Sequence, residues 1–158
     1  MIKVQIICVG KIKEQDFFEA IKEYEKRLSA FCELETAVIK PEKLPDNPGD
    51  AEISAALKAE AAAILAKVPK NTAVYPLCIE GKRFSSEGFS KEIQNRVDEG
   101  KNICFIIGGS HGLDKSIENA GSGISFSDMT FPHRLFRVML LEQVYRAFTI
   151  IAGKKYHK

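Results

Sequence analysis

Three short segments combine residue types that could bind a ligand or act on it. Gly108-Gly109-Ser110-His111-Gly112 directly follows an apolar run, and a glycine turn at a strand end presents bare backbone N–H groups. Phe126-Ser127-Asp128-Met129-Thr130-Phe131-Pro132 is a second loop, soon after the first. Lys154-Lys155-Tyr156-His157-Lys158 is a basic and aromatic tail. The two loops predict two walls of one pocket.

The tail has two interpretations. Tyr156 and His157 can stack on an unstacked nucleobase or hydrogen-bond to it. The lysines beside them, Lys154, Lys155 and Lys158, can hold phosphate. A frayed basic terminus is the plainer interpretation, and the residues alone leave both open.

The residue types around the glycine loop suit a flat ligand. Because Gly108 and Gly109 carry no Cβ, a ligand can approach the backbone closely there. Leu77, Met129 and Phe131 can supply apolar walls for a base. A Gly-Gly turn also ends strands that bind nothing, so the loop alone does not establish a site.

A nicotinamide dinucleotide-binding oxidoreductase is a weak rival interpretation of the same loop. The dinucleotide fingerprint Gly-x-Gly-x-x-Gly is not met, because Ser110 occupies the place of the second glycine. Asp128 does lie at about the distance, roughly 20 residues, of a ribose-binding carboxylate. No Walker lysine follows the glycines, which argues against a phosphate-cradling nucleotide hydrolase.

Strands and helices must bring these loops together, and the apolar patterning predicts how they alternate. Strands are predicted over 2–9, 34–39, 72–79, 103–107 and 124–126. Helices are predicted over 14–31, 50–67, 113–120 and 133–151, with Asp50 as the cap of the second. A further helix is predicted to begin at a cap, Ser85 or Ser86, and to end at 99. The alternation predicts an α/β fold with a mostly parallel sheet flanked by helices. Ligands of such sheets bind at the carboxyl ends of the strands.

The predicted helix over 133–151 is apolar around nearly its whole circumference. Such a helix must be buried all round, which one terminal helix of a small domain rarely achieves alone. It therefore predicts a homodimer interface, with a central core helix of a monomer as the alternative. The polar residues that interrupt it are Arg134, Arg137, Glu142, Gln143 and Arg146. Glu142 and Arg146 are spaced for an intrahelical ion pair, and the polar groups can also line a composite site.

Length and composition narrow the class of protein. The chain has 158 residues, 45% of them hydrophobic and 28% charged, as expected for one globular domain. No apolar run approaches the roughly 20 residues of a membrane span, and the first residues lack a signal peptide's layout, so a cytoplasmic location is expected. The four cysteines form no Cys-x-x-Cys pair, which predicts buried free thiols rather than a metal site or a disulfide framework.

These segments together resemble the RlmH family of 23S rRNA pseudouridine N3-methyltransferases, in the SPOUT class of knotted enzymes. The matching segments are Leu77-Cys78-Ile79-Glu80-Gly81-Lys82, Ile106-Ile107-Gly108-Gly109-Ser110-His111-Gly112-Leu113, Met129-Thr130-Phe131-Pro132-His133, Arg137-Val138-Met139-Leu140-Leu141-Glu142-Gln143-Val144-Tyr145-Arg146-Ala147, Tyr156-His157-Lys158 and Val9-Gly10-Lys11. They keep the family's order and spacing over essentially the whole chain. Lys154-Lys155 stand where the family often has a proline before the tyrosine.

The resemblance implies a single SPOUT domain over 1–158 with a deep trefoil knot near its C-terminus. It implies a homodimer through the C-terminal helix, with S-adenosylmethionine (SAM) bound in the knot. The family's cofactor contacts carry over onto Leu77, Gly108, Phe126, Ser127, Asp128, Met129, Thr130 and Phe131. The implied reaction is methylation of N3 of a pseudouridine in 23S rRNA on the assembled ribosome. A whole ribosome as partner would explain how a chain of net charge +2 acts on RNA.

For that reaction, Tyr156 and His157 of the partner subunit are expected to position the pseudouridine. His157 is the expected proton acceptor, since an imidazole titrates near neutral pH, and Glu142 is the alternative. Contacts with RNA are expected from Arg146, Lys154, Lys155 and Lys158. Methyl displacement from a sulfonium needs no metal. A non-catalytic ribosome-binding or assembly factor, using the same tail, is the main alternative function.

Overall fold

The chain folds into a five-stranded parallel sheet covered by helices, as a computed structural model of residues 1–11, 13, 15 and 17–158 describes it. The strands are β1 (Lys3–Val9), β2 (Glu33–Ile39), β3 (Thr72–Arg83), β4 (Asn102–Ile107) and β5 (Ile124–Ser125). The helices are α1 (Phe18–Leu28), α2 (Asp50–Lys67), α3 (Ser86–Asp98), α4 (Lys115–Glu118) and α5 (His133–Ile151). The predicted α/β class with a parallel sheet between helices is confirmed.

The strand order in the sheet is β2-β1-β4-β3-β5, and each of the four pairings is parallel. The carboxyl ends of all five strands therefore lie along one edge. β3 and β4 are neighbours, and β5 pairs with the far half of β3. This order brings the far half of β3 beside the loops after β4 and β5, so the two loops converge as the sequence predicts.

Both faces of the sheet are buried, which explains why its central strands are apolar throughout. Val4, Ile6 and Cys8 of β1 point to a core shared with α1, α3 and α5. Ile7 and Val9 of the same strand point to the opposite core, which contains residues of α2 and α4. Alternate residues of one strand thus support two helical layers.

Several predicted boundaries differ from those of the structure. β3 continues to Arg83 rather than ending at 79, because the backbone at Lys82 and Arg83 pairs with β5. Asp50 is the first residue of α2 and not its cap; Gly49 holds the cap position, where its N–H donates to Glu52 Oε1 at 3.2 Å. α4 is confined to four residues. The predicted helix start at Glu14 lies outside the described residues.

α5 has one buried face and one half-buried face. Its buried residues, Leu140, Leu141, Val144, Ala147, Phe148 and Thr149, pack into the core of the same chain, and the helix contacts both α1 and α3. Leu135, Val138 and Met139 are apolar and remain half-buried. The helix is therefore a core helix on one side and an incompletely covered apolar surface on the other. Across the described part of the chain, no helix has the length and apolarity to cross a membrane.

Candidate active site

A cavity of about 250 Å³ opens at the carboxyl edge of the sheet, beside residues 77–80 of β3 and the ends of β4 and β5. Its lining includes the following residues to which the resemblance assigns cofactor contacts: Leu77, Gly108, Phe126, Ser127, Met129, Thr130 and Phe131. Asp128 lies outside the lining; its carboxylate, 78% exposed, forms an ion pair with Arg83. The two loops singled out in the sequence thus share one cavity with Leu77 of β3, and it is called the first cavity below.

The glycines around this cavity allow backbone segments to approach one another closely. A Cβ on Gly108 would lie 2.6 Å from the carbonyl oxygen of Gly112, because the loop after β4 turns back on itself. A Cβ on Gly81 would lie 2.5 Å from the backbone nitrogen of Ile124, where β5 passes β3. At Gly108, the chain's own backbone therefore requires glycine, in addition to any ligand that approaches it.

The chemistry of the first cavity suits a ligand with a flat apolar part and a cationic part. Leu77, Phe126 and Phe131 supply apolar surface, and the carboxylate-bearing residues Glu80 and Glu118 also line the cavity. The hydroxyl of Ser127 accepts a hydrogen bond of 3.0 Å from the N–H of Met129, which keeps the second loop folded over the cavity. A nucleoside joined to a sulfonium has both of these parts.

A second cavity, of about 440 Å³, adjoins the first and was not predicted from the sequence. The two cavities have four lining residues in common: Ile124, Ser125, Phe126 and Phe131. Val138 and Met139, on the half-buried face of α5, line the second cavity. Glu142 and Gln143 of the same helix add polar groups to the lining. A molecule in the second cavity would therefore lie beside a ligand held in the first.

Glu142 is the centre of a hydrogen-bonded group on α5. Arg146 donates from Nε at 3.0 Å and from Nη2 at 2.5 Å to Glu142 Oε1, which confirms the predicted intrahelical pair. Gln143 Nε2 donates to the other carboxylate oxygen at 2.9 Å, and the Ser86 hydroxyl donates to Gln143 Oε1 at 2.9 Å. The hydrogen bond to Glu142 is the main reason that the pKa of Arg146 is raised. The group links α5 to the start of α3.

Tyr156 is docked against α5 of its own chain. Its ring meets Tyr145 edge-on at 4.8 Å between centroids, and the Arg146 guanidinium lies 4.8 Å from the ring centroid. Its hydroxyl donates to Glu142 Oε1 at 3.3 Å. Burial, followed by a hydrogen bond with Tyr24, raises the pKa of Tyr156 to about 12. Tyr156 therefore remains a neutral hydrogen-bond donor at physiological pH.

His157 is held on both sides of its ring. Arg146 Nη1 lies 3.1 Å from Nδ1, and Glu87 Oε1 of α3 lies 2.7 Å from Nε2. Because a guanidinium only donates, Nδ1 accepts and the proton of the neutral ring is on Nε2. The tail is thus docked at Tyr156 and His157 rather than frayed, while Lys155 and Lys158 are exposed.

The other two histidines lie near the glycine loop. His111 is exposed and borders a small cavity of about 180 Å³ behind that loop. His133 begins α5 and lines both this cavity and the first cavity. Burial, and then the charge of Arg134, lower the pKa of His133, so that its ring is neutral at physiological pH. Neither histidine joins the group around Glu142 in the contacts of the described residues.

Sequence reasoning missed two contributors to this region. Glu87 is separated from His157 by 70 positions, so no local spacing relates them. The sequence indicates only a capping role for Ser86, whereas Ser85 caps α3 and the Ser86 hydroxyl donates a hydrogen bond to Gln143 Oε1. Among the described residues, no group of three or more His, Cys, Asp or Glu side chains is placed to hold a metal ion.

Comparison with known protein families places the whole of this architecture in one class. The family model described as "Predicted SPOUT methyltransferase" matches residues 2–157. The match therefore includes the sheet, both cavities and the docked tail through His157. Enzymes of this class generally take the methyl group from SAM, and the first cavity has surface for such a ligand. The chain belongs to the SPOUT methyltransferase family.

Proposed function

We propose that this SPOUT methyltransferase acts on N3 of a pseudouridine in 23S rRNA of the assembled ribosome. Family membership supplies the reaction class, and the substrate is the step beyond it. The observation that carries the proposal is the placement of the tail: Tyr156 and His157 dock on Glu142 and Arg146, and Glu142 lines the cavity that adjoins the first. A nucleobase beside those side chains would lie next to the cofactor cavity.

In the proposal, SAM occupies the first cavity, where it supplies a methyl group activated by its sulfonium. Leu77, Phe126 and Phe131 would hold the adenine, and the backbone at Gly108 would approach the nucleoside. Asp128 keeps its ion pair with Arg83, so its role would be to shape the loop rather than to touch the ligand. The remaining members of the predicted set, Ser127, Met129 and Thr130, complete the wall.

Tyr156 and His157 position the base in this mechanism, and His157 Nδ1 takes the N3 proton. Arg146 Nη1 occupies that nitrogen in the free protein, so Arg146 has to turn away first. An rRNA phosphate is a suitable new partner for the guanidinium. Glu142 is the alternative acceptor, but its carboxylate oxygens already accept hydrogen bonds from Arg146, Tyr156 and Gln143.

A homodimer through α5 is part of the proposal. The half-buried apolar side chains of Val138 and Met139 border the second cavity, and a second copy of the helix would cover these two side chains. The half-buried face of α5 supports this arrangement.

The trefoil knot is likewise proposed from the resemblance. Close packing of backbone segments is compatible with it: β5 passes Gly81 of β3, and Gly121 approaches Val74 with no room for a Cβ. Knots are rare, so no pattern argument supplies one.

The ribosome is the proposed partner because the positive charge available for RNA is concentrated in the tail and not spread over the whole chain. Lys154, Lys155 and Lys158 are exposed on the tail, whereas the whole chain has a net charge of only +2. A few tail lysines add phosphate contacts without binding RNA of every sequence tightly. The location that follows from this partner is the cytoplasm.

The test combines cofactor binding with methyl transfer. Calorimetric titration is expected to show binding of SAM and none of NAD(H). Labelled SAM is then supplied with assembled ribosomes, with isolated large subunits or with naked 23S rRNA from cells that lack the modification, and we expect label on the assembled ribosomes. Mass spectrometry of the labelled nucleoside identifies N3-methylpseudouridine. Binding of neither ligand would favour an assembly factor, and binding of NAD(H) alone would favour an oxidoreductase.

A variant tests the assignment of the proton acceptor. His157→Ala is expected to lower kcat by about a hundredfold or more, as loss of a general base does, with SAM affinity unchanged. Lys67→Ala, an exposed change at the end of α2 on the opposite side of the sheet, is the control. Methylation by His157→Ala at the wild-type rate would contradict the role of His157.

A further inference from the structure

Glu87 contacts the tail although it belongs to neither the cofactor cavity nor α5. It lies in the first turn of α3, and its Oε1 is 2.7 Å from His157 Nε2. The adjacent residues Ser85 and Ser86 line the second cavity. The carboxylate therefore lies at the rim of the site, on the opposite side of the imidazole from Arg146.

The hydrogen-bond directions around His157 are determined by its two neighbours. Arg146 donates to Nδ1, so Nε2 carries the proton and donates to Glu87. The hydrogen bond from His157 is the main cause that lowers the pKa of Glu87, which keeps this group a carboxylate at neutral pH. The lone pair of Nδ1 consequently points toward Arg146, whose ion-pair partner Glu142 lines the second cavity.

We infer that Glu87 is a positioning residue for His157: it orients the ring with Nδ1 toward the substrate and stabilises the imidazolium formed during methyl transfer. The inference rests on the proposed function. In the reaction, the N3 proton moves to Nδ1 while Nε2 keeps its own proton. The ring then carries a positive charge, and the carboxylate 2.7 Å from Nε2 is the nearest anion that the described contacts give it.

The solvent exposure of Glu87 and His157 determines how much the loss of Glu87 should lower kcat. The Glu87 side chain is 67% exposed and that of His157 is 29% exposed, so water weakens their attraction. We therefore expect a loss in kcat of about tenfold without Glu87, smaller than the loss without His157 itself. Because the contact is at the surface, removing it should leave the melting temperature almost unchanged.

Three substitutions at position 87 separate charge from tail anchoring. Glu87→Ala removes the acceptor, Glu87→Gln keeps an acceptor oxygen but no charge, and Glu87→Asp keeps the charge on a shorter side chain. We expect kcat on ribosomes to fall about tenfold for Glu87→Ala and nearly as much for Glu87→Gln. Glu87→Asp should recover part of the rate, with KM and SAM affinity unchanged in all three. Glu99→Gln, an exposed ion-paired carboxylate just beyond the other end of α3, is the matched control.

A double-mutant cycle and nitrogen spectra decide the inference. If Glu87 acts through His157, Glu87→Ala causes no further loss in a His157→Ala background. Wild-type kcat in Glu87→Ala, wild-type kcat in Glu87→Gln, or additive losses in the cycle would each overturn the inference. Imidazole ¹⁵N shifts of His157 that do not respond to Glu87→Ala would do so as well. A wild-type protein that methylates no ribosomal RNA would instead contradict the proposed function.

Discussion

Gly108 lies where the loop after β4 turns back, and an added Cβ would be 2.6 Å from Gly112 O. Backbone atoms cannot move aside as a flexible side chain can, so Gly108→Ala must shift the loop. We expect this variant to lose about 1–3 kcal/mol of unfolding free energy. The shifted loop should also weaken SAM binding at least about tenfold, since it forms a wall of the first cavity. Chemical denaturation and calorimetry measure the two effects.

Gly109→Ala is the matched control for this change. Its Cβ would meet Val9 Cγ1 at 3.3 Å, and a side chain can yield by a few tenths of an ångström. The loss of stability and of affinity should therefore be clearly smaller. Equal losses at both positions would show that the close approach to Gly112 has no special effect.

The four cysteines differ in burial, which predicts an order of reactivity. Burial raises the pKa of Cys8 to about 11 and the pKa values of Cys32 and Cys104 to about 12. Cys78 is half-buried in the wall of the first cavity, and burial raises its pKa as well. In native protein at pH 8, iodoacetamide should modify Cys78 first, because the other three thiols are inaccessible and protonated.

SAM should protect Cys78 from this reaction if it occupies the first cavity. Peptide mass spectrometry with and without saturating SAM gives the rate at each cysteine. Denatured protein, in which all four thiols should react alike, is the control. An unchanged rate at Cys78 would place the ligand elsewhere.

Only part of the candidate site could be predicted at the level of residues. The pair of Glu142 and Arg146 follows from helical spacing, because residues four apart lie on one face. The contact of Glu87 with His157 depends on the packing of α3 beside α5, which no spacing encodes. The cofactor contact of Asp128 stays a prediction, whereas its ion pair with Arg83 could not be predicted because it depends on the extension of β3.

Among the elements, α5 leads to a prediction about assembly. Met139 is half-buried and lines the second cavity on the face proposed for the dimer. Met139→Glu would place a carboxylate in that apolar interface, which costs several kcal/mol. We expect the dissociation constant of the dimer to rise by about a hundredfold or more. Sedimentation should then show a mass near 17.6 kDa instead of about twice that value.

Leu65→Glu is the control for Met139→Glu. Leu65 belongs to α2, on the opposite side of the sheet, and is 44% exposed. Its replacement should leave the mass of the wild-type assembly unchanged. A wild-type protein of single-chain mass at micromolar concentration would contradict the proposed dimer itself.

The ends of helices and strands could be predicted from the sequence only where the pattern of apolar side chains determines them. The predicted bounds of the last helix agree with α5, because its apolar run starts after Pro132 and ends before Gly153. The end of β3 could not be predicted, since Lys82 and Arg83 are polar and exposed. Backbone pairing with β5 extends that strand, and this pairing requires no apolar side chain.

For the whole molecule, the fold class was predictable and the order of strands was not. Alternating strands and helices imply a parallel sheet whatever the order. The order β2-β1-β4-β3-β5 depends on which strands pair across long stretches of chain. The two-sided burial of β1 and β4 fits a central position, but apolar composition alone cannot rank the strands.

β3 exchanges one partner for another along its length: residues 72–76 pair with β4, whereas Leu77, Lys82 and Arg83 pair with β5. The far half pairs with the two residues of β5 and with Gly123 just before them, so it should open without disturbing the main sheet. In hydrogen–deuterium exchange, the Lys82 amide, which donates to Gly123 O at 2.9 Å, should exchange faster than the amides of β4. A ligand in the first cavity would touch both the far half of β3, at Leu77 to Glu80, and the end of β4, at Ile107, so SAM should slow exchange at Lys82 while leaving the rest of β4 as it was. Cofactor binding would then join two cooperative units that fluctuate separately in the free protein, and equal exchange at Lys82 with and without SAM would refute that coupling.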